Sequence, residues 1–132
     1  MFKLVHVSDF EAKGAFDEAF KGANGVIYVS TPIILNADPT NVVEPVIKGT
    51  INSLEAAARP GVKRYVLSSS SKAIESTNYN YPHHITSSMF NYGAIRKACC
   101  EANVDGLDRF MDVYSASRAL AELPFWSWVG TN

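Results

Sequence analysis

Apolar residues fall in short blocks along this chain, and each block closes at a charge, a glycine or a proline. Leu4, Val5 and Val7 open the series and Asp9 closes it, so Lys3–Ser8 predicts a buried strand. Gly14–Lys21 carries Ala15, Phe16, Ala19 and Phe20 at helical spacing, with Gly22 and Asn24-Gly25 as its stop. Val26–Ser30 is a second β-branched run. Asn41–Arg59 gives the clearest helix: Val43, Val46, Ile47, Thr50, Ile51, Leu54, Ala57 and Ala58 recur near a 3.6-residue period. Asn41 and Glu44 suit a capping box, Pro45 belongs near the first turn, and Pro60-Gly61 ends the helix. Val62–Ser68 predicts a third strand, closed by the serines Ser68–Ser71. Ser71–Tyr92 reads as a long polar loop. Tyr92–Asn103 predicts a short helix, and Met111–Leu123 another that Pro124 ends.

Strand, helix, strand, helix, strand, loop, helix is the alternation of an α/β fold, a parallel sheet covered by helices. Right-handed crossovers put the strand C-termini on one edge, where ligands of such sheets bind. Asp9, Ser30, Thr31 and Ser68–Ser71 should therefore share that edge.

Composition narrows the class. The chain has 132 residues, 47% hydrophobic and 19% charged, which is one globular domain rather than a disordered chain. A net charge of −1 gives no electrostatic case for nucleic acid. No run approaches the ~18 apolar residues of a membrane span, and the first residues lack the apolar stretch of a leader; the expectation is a cytoplasmic protein without a membrane partner. Cys99 and Cys100 are adjacent and read as reduced helix residues. His83-His84 lacks a third ligand at useful spacing, so no metal is expected. His6 reads as packed within its strand, and Arg96, Lys97 and Arg109 as part of a solvated face.

Chemistry concentrates on Tyr114-Ser-Ala-Ser-Arg118. Positions i and i+4 share a helix face, and a cation beside a phenol favours the phenolate. Ser70, at a strand end, is placed to hold a substrate oxygen.

The string Asp112-Val-Tyr114-Ser-Ala-Ser-Arg118-Ala-Leu-Ala-Glu122 resembles the Y-x-x-x-K segment of the extended short-chain dehydrogenases/reductases. Gly14-Ala-Phe-Asp-Glu-Ala-Phe-Lys-Gly22, Gly25-Val-Ile-Tyr-Val-Ser-Thr-Pro32, Lys48-Gly-Thr-Ile-Asn-Ser-Leu-Glu-Ala56 and Val62-Lys-Arg-Tyr-Val-Leu-Ser-Ser-Ser70 are similar to successive segments of the same superfamily. The resemblance runs from about Lys3 to Glu122, and the long Ser70-to-Tyr114 interval suits its fungal aldehyde and ketone reductase branch, near the dihydroflavonol reductases.

The resemblance implies an incomplete Rossmann-type parallel sheet flanked by helices, with residues 1–132 as a partial NAD(P)-binding domain. It implies NADP or NAD as cofactor, with NADPH favoured, and a small carbonyl compound as substrate. It assigns Ser70 to the substrate carbonyl, Tyr114 to its protonation, and Arg118 to the place of the lysine that binds the nicotinamide ribose. Asp9 would face the adenine, Ser30, Thr31 and Pro32 would line the cofactor, and Asn52 matches a helix asparagine near the site. Arginine keeps the charge but is larger and no practical proton donor, so weakened or absent turnover is expected. The family's Gly-rich turn, which brings backbone N–H groups to the pyrophosphate, would precede Met1, and its substrate lobe would follow Glu122. Two readings follow: a carbonyl reductase lineage, or an inactive Rossmann fragment that associates through exposed strand edges and its Trp126/Trp128 tail.

Overall fold

The computed structural model describes residues 2–29, 34, 36–59, 61–76, 80–101 and 106–132. In chain order its elements are α1 (Asp17–Phe20), β1 (Gly25–Tyr28), α2 (Thr40–Ala58), β2 (Arg64–Leu67), a 3₁₀ turn (Ser71–Ala73), α3 (Tyr92–Cys100) and α4 (Leu107–Thr131). β1 and β2 pair in parallel, Gly25 opposite Arg64 through Tyr28 opposite Leu67. α2 is the crossover between them, so the βαβ unit and the α/β class are as the sequence predicts.

α2 joins two small cores. Its N-terminal half presents Val42 to Ala98 of α3 and to Val113 and Ala116 of α4. Its C-terminal half presents Ala56 and Ala57 to Phe16, Val26 and Tyr28. Gly49 lies between them because Tyr28 needs the space: a Cβ there would sit 3.0 Å from the Tyr28 hydroxyl and 3.5 Å from Phe10 Cβ. Gly22, at φ 76°, takes the left-handed turn that ends α1.

Four expectations about the elements are corrected. Lys3–Ser8 forms no strand; Phe2 and Leu4 are 87% and 84% exposed, and His6 is exposed rather than packed. A β-prone run acquires strand hydrogen bonds only from a neighbour, and here only Val7 reaches the core. α2 has no Asn41–Glu44 capping box: its N-cap is Pro39, which has no capping side chain, and Asp38 just before it accepts from the Thr40 backbone N–H at 2.9 Å and its hydroxyl at 2.8 Å. That start puts Pro45 in the second turn of α2, where it removes one helical hydrogen bond without breaking the helix. Pro124 does not end α4, which runs on to Thr131. Phe125, 5% exposed, packs on Tyr65 with ring centroids 5.7 Å apart and holds the helix across the proline.

Candidate active site

The serines after β2 and the third turn of α4 meet through one side chain. Arg118 is 2% exposed, and its Nη2 donates to the Ser68 carbonyl at 2.9 Å. The small residues Ser115, Ala116, Ser117 and Ala119 around it are all buried, which lets α4 approach α2 closely. Ser115 and Ser117 turn their hydroxyls back onto the helix carbonyls of Met111 and Tyr114 at 2.6 and 2.7 Å, so neither adds an unmet polar group to the buried face. Tyr114 lies one turn before Arg118 and is half-buried. Ser70 lies two residues beyond Ser68, and its hydroxyl accepts from the Lys72 N–H at 3.2 Å, starting the 3₁₀ turn.

Arg118 also acts on Tyr28. Burial raises the Tyr28 phenol to about 12, and the guanidinium charge works in the opposite direction. Tyr65 is raised to about 12 by burial as well, partly offset by its 2.6 Å hydrogen bond with Ser53 Oγ. Both phenols are protonated structural groups at neutral pH.

The other predicted site residues lie elsewhere. Asp9 is exposed and accepts from the Glu11 N–H at 2.8 Å, a local turn. The turn is anchored by Asn52, whose Nδ2 donates to the Phe10 and Ala12 carbonyls at 3.0 and 3.3 Å. Phe10 lies beside Tyr28, the last residue of β1, so this turn stands near that strand's C-terminal end. Ser30, Thr31 and Pro32 lie outside the described residues. Cys99 and Cys100 are free and exposed in the last turn of α3.

Arg109 is not part of a solvated face. Its Nη1 and Nη2 donate to the Lys97 and Ala98 carbonyls of α3 at 2.7 and 2.9 Å, and its Nε to the Ala37 carbonyl at 3.0 Å. It satisfies end carbonyls that a helix cannot pair internally. The legible signal was a cation in the first turn of a helix, where the dipole disfavours it unless acceptors lie nearby. A cleft of about 430 Å³ opens between the 3₁₀ turn, α3 and α4, lined by Lys72, Lys97, Asp108 and Asp112 among others. It lies along the Met111–Ser115 face of α4 and does not include Tyr114.

Tyr114 and Arg118 lie one turn apart on α4, and Arg118 reaches the serine stretch that continues to Ser70. The positive-φ glycines, Gly14, Gly22, Gly61 and Gly106, are separate turns, and they make no Gly-rich cradle for a pyrophosphate among the described residues. Among those residues no group of three or more His, Cys, Asp or Glu could hold a metal ion, and no helix is long and apolar enough to cross a membrane.

A parallel βαβ unit with a long helix docked against the second strand's end is a Rossmann-type arrangement. The chain belongs to the 3-beta hydroxysteroid dehydrogenase/isomerase family, whose sequence pattern it matches over residues 1–123. It is 35% identical to aldehyde reductase 2 of Sporidiobolus salmonicolor over 133 residues, covering 99% of this chain and 38% of that protein. It is 32% identical over 126 residues to the NAD-dependent epimerase/dehydratase terH of Aspergillus terreus, covering 95% of this chain and 37% of that protein. Among solved structures, Gre2 of Candida albicans in complex with NADPH superposes with a TM-score of 0.72 at 23% identity, covering 96% of this chain and 38% of that one. The fold is thus that of the reductases, and the chain spans about 38% of the length of these relatives.

Proposed function

We propose that this chain is the catalytic-helix segment of an NAD(P)H-dependent carbonyl reductase that converts an aldehyde or ketone to an alcohol. The observation that carries the reading is the Arg118–Ser68 hydrogen bond, which docks the Tyr114 helix on the serine stretch holding Ser70. Family membership and the aldehyde reductase likeness support the reaction class. The NADPH complex of Gre2 supports the choice of NADPH over NADH.

In this reading a bound nicotinamide supplies the hydride to the carbonyl carbon. Ser70 Oγ donates a hydrogen bond to the carbonyl oxygen and fixes it. Tyr114 gives that oxygen its proton as the carbon–oxygen double bond becomes a single bond, so one hydride and one proton make the alcohol. Arg118 keeps a positive charge one turn away, although its bond to Ser68 limits how far the guanidinium can reach toward a ribose. Asp9, Ser30, Thr31 and Pro32 are proposed for the cofactor's remaining contacts.

The test is oxidation of NADPH by an aldehyde or ketone, followed by nicotinamide absorbance. Tyr114→Phe should lower kcat by at least about 10²-fold, the usual weight of a general acid. Thermal unfolding of the variant should be nearly unchanged, because only a hydroxyl is removed from a half-buried side chain. Turnover equal to the parent chain sinks the mechanism.

A second reading is association without catalysis, and the bare face of the sheet favours it. Ile27 of β1 and Val66 of β2 pair side by side and are 72% and 45% exposed, while Val26 and Tyr28 of β1 are buried; Val29, just past β1, is 68% exposed. Sheets of this class are covered on both faces, so such a face suits a protein partner or a second copy. Sedimentation velocity across a concentration series distinguishes the readings: a dimer that weakens in an Ile27→Thr/Val66→Thr variant supports association.

A further inference from the structure

The chain between the 3₁₀ turn and α3 is fastened at two levels. At its base Asn91 closes the loop. Its N–H donates to the Ala73 carbonyl at 2.8 Å, and its Nδ2 to the Lys72 carbonyl at 3.0 Å and to Ser76 Oγ at 3.2 Å. Its Oδ1 accepts from the Ala94 N–H at 3.0 Å and starts α3. Further out, His83 joins two parts of the loop. Its Nε2 lies 2.8 and 2.7 Å from the two carboxylate oxygens of Glu75, and its Nδ1 lies 3.0 Å from the Tyr81 carbonyl.

A carboxylate and a carbonyl can only accept. A neutral imidazole has one N–H and one lone-pair nitrogen, so it can satisfy one of these partners and must face the other with a lone pair. Both bonds form together only in the imidazolium. Among the described residues, Glu75 is the charged group paired with the ring, and Tyr81 presents the other acceptor. His84 is the next residue in the chain.

We propose that Glu75, His83 and the Tyr81 carbonyl form a proton-held clasp, which ties residues 81–83 to the end of the 3₁₀ turn while His83 is charged and releases them when it deprotonates. The two acceptors raise the His83 pKa above the ordinary histidine value. The sign follows. The clasp is complete below the ordinary histidine pKa and is lost as pH rises through the raised one. Because Asn91 fastens the same loop to Lys72 and Ala73, the proton state of His83 sets how firmly the chain beyond the Ser70 turn is held, without unfolding its base.

Ring-resolved NMR titration of the whole chain tests this, beside hydrogen exchange of the Tyr81, His83 and His84 amides. His83 should titrate above the ordinary histidine range, and Glu75→Gln should bring it down, since the amide still accepts but carries no charge. Protection of those amides, corrected for intrinsic exchange, should fall about two- to fivefold as pH crosses the His83 midpoint, the scale of an exposed ion pair. In Glu75→Gln that fall should move to the lower midpoint. A His83 midpoint at or below the ordinary value, a midpoint unmoved in Glu75→Gln, or protection independent of pH overturns the proposal.

Discussion

The two sides of α2 are finished to different degrees. Toward α3 and α4, side chains from one element satisfy the backbone of another: Arg118 takes the Ser68 carbonyl, Arg109 takes the end of α3, and Asn91 closes the loop between. Toward the sheet, one face is packed by Phe16, Val26 and Tyr28, while Ile27 and Val66 of the other are exposed. Helices pair their backbones internally, so a helical layer closes on itself wherever side chains cap the ends. A strand pairs only with neighbours, and a two-stranded sheet has two edges left open. Stability should therefore concentrate on the helical side and be nearly indifferent to the outer sheet face.

The largest effect expected from that asymmetry is at Arg118. Arg118→Ala removes a buried guanidinium, leaves the Ser68 carbonyl without its partner, and opens a void between α4 and the serine stretch. Urea unfolding should show a loss of about 3 kcal/mol. Arg118→Lys should retain part of this, since an ammonium can still reach one carbonyl but fills less of the space. A loss under about 1 kcal/mol would mean that α4 is held on the sheet by its apolar contacts alone.

Next comes the packing of the same layer. Val113 is fully buried against Val42, Ala98 and Ala116. Val113→Ala deletes two carbons from a site that small neighbours cannot refill, and about 2 kcal/mol should be lost in the same unfolding experiment. A smaller loss would show that the α2–α3–α4 layer collapses easily onto the gap.

The same contrast explains what the sequence disclosed. Val26–Tyr28, Arg64–Leu67 and α2 were legible because their apolar periods are met inside the chain itself. Lys3–Ser8 has an equally good strand pattern, but a pattern states only what a segment would bury given a neighbour. Pro124 reads as a stop from local rules, and the contact of Phe125 with Tyr65, sixty residues away in sequence, overrides it. At the candidate site the types and spacing of Ser70, Tyr114 and Arg118 were legible. The destination of Arg118 was not, because a backbone carbonyl fifty residues earlier leaves no signature in side-chain composition. The Glu75–His83 pair was missed because the two meet only through the path of the loop, whereas Arg109 left a signal, a cation in the first turn of a helix, that does not say where its acceptors lie.

The smallest expected effect is also the sharpest check on the comparison. Ile27 and Val113 are both β-branched and apolar, and both lie in regular structure. Ile27 sits in mid-strand with 72% of its surface in water, so Ile27→Thr gives up little burial and keeps the branched shape that suits a strand. Unfolding free energy should move by no more than about 0.5 kcal/mol in dilute solution. If the bare face is covered by a second copy, the same substitution should become destabilising as protein concentration rises, because the coupled equilibrium then contributes to the apparent stability. Running Ile27→Thr and Val113→Ala at two concentrations separates the cases. A concentration-independent loss near 2 kcal/mol at Ile27 would show that this face is packed within one chain, and the division between a finished helical layer and an open sheet would fail.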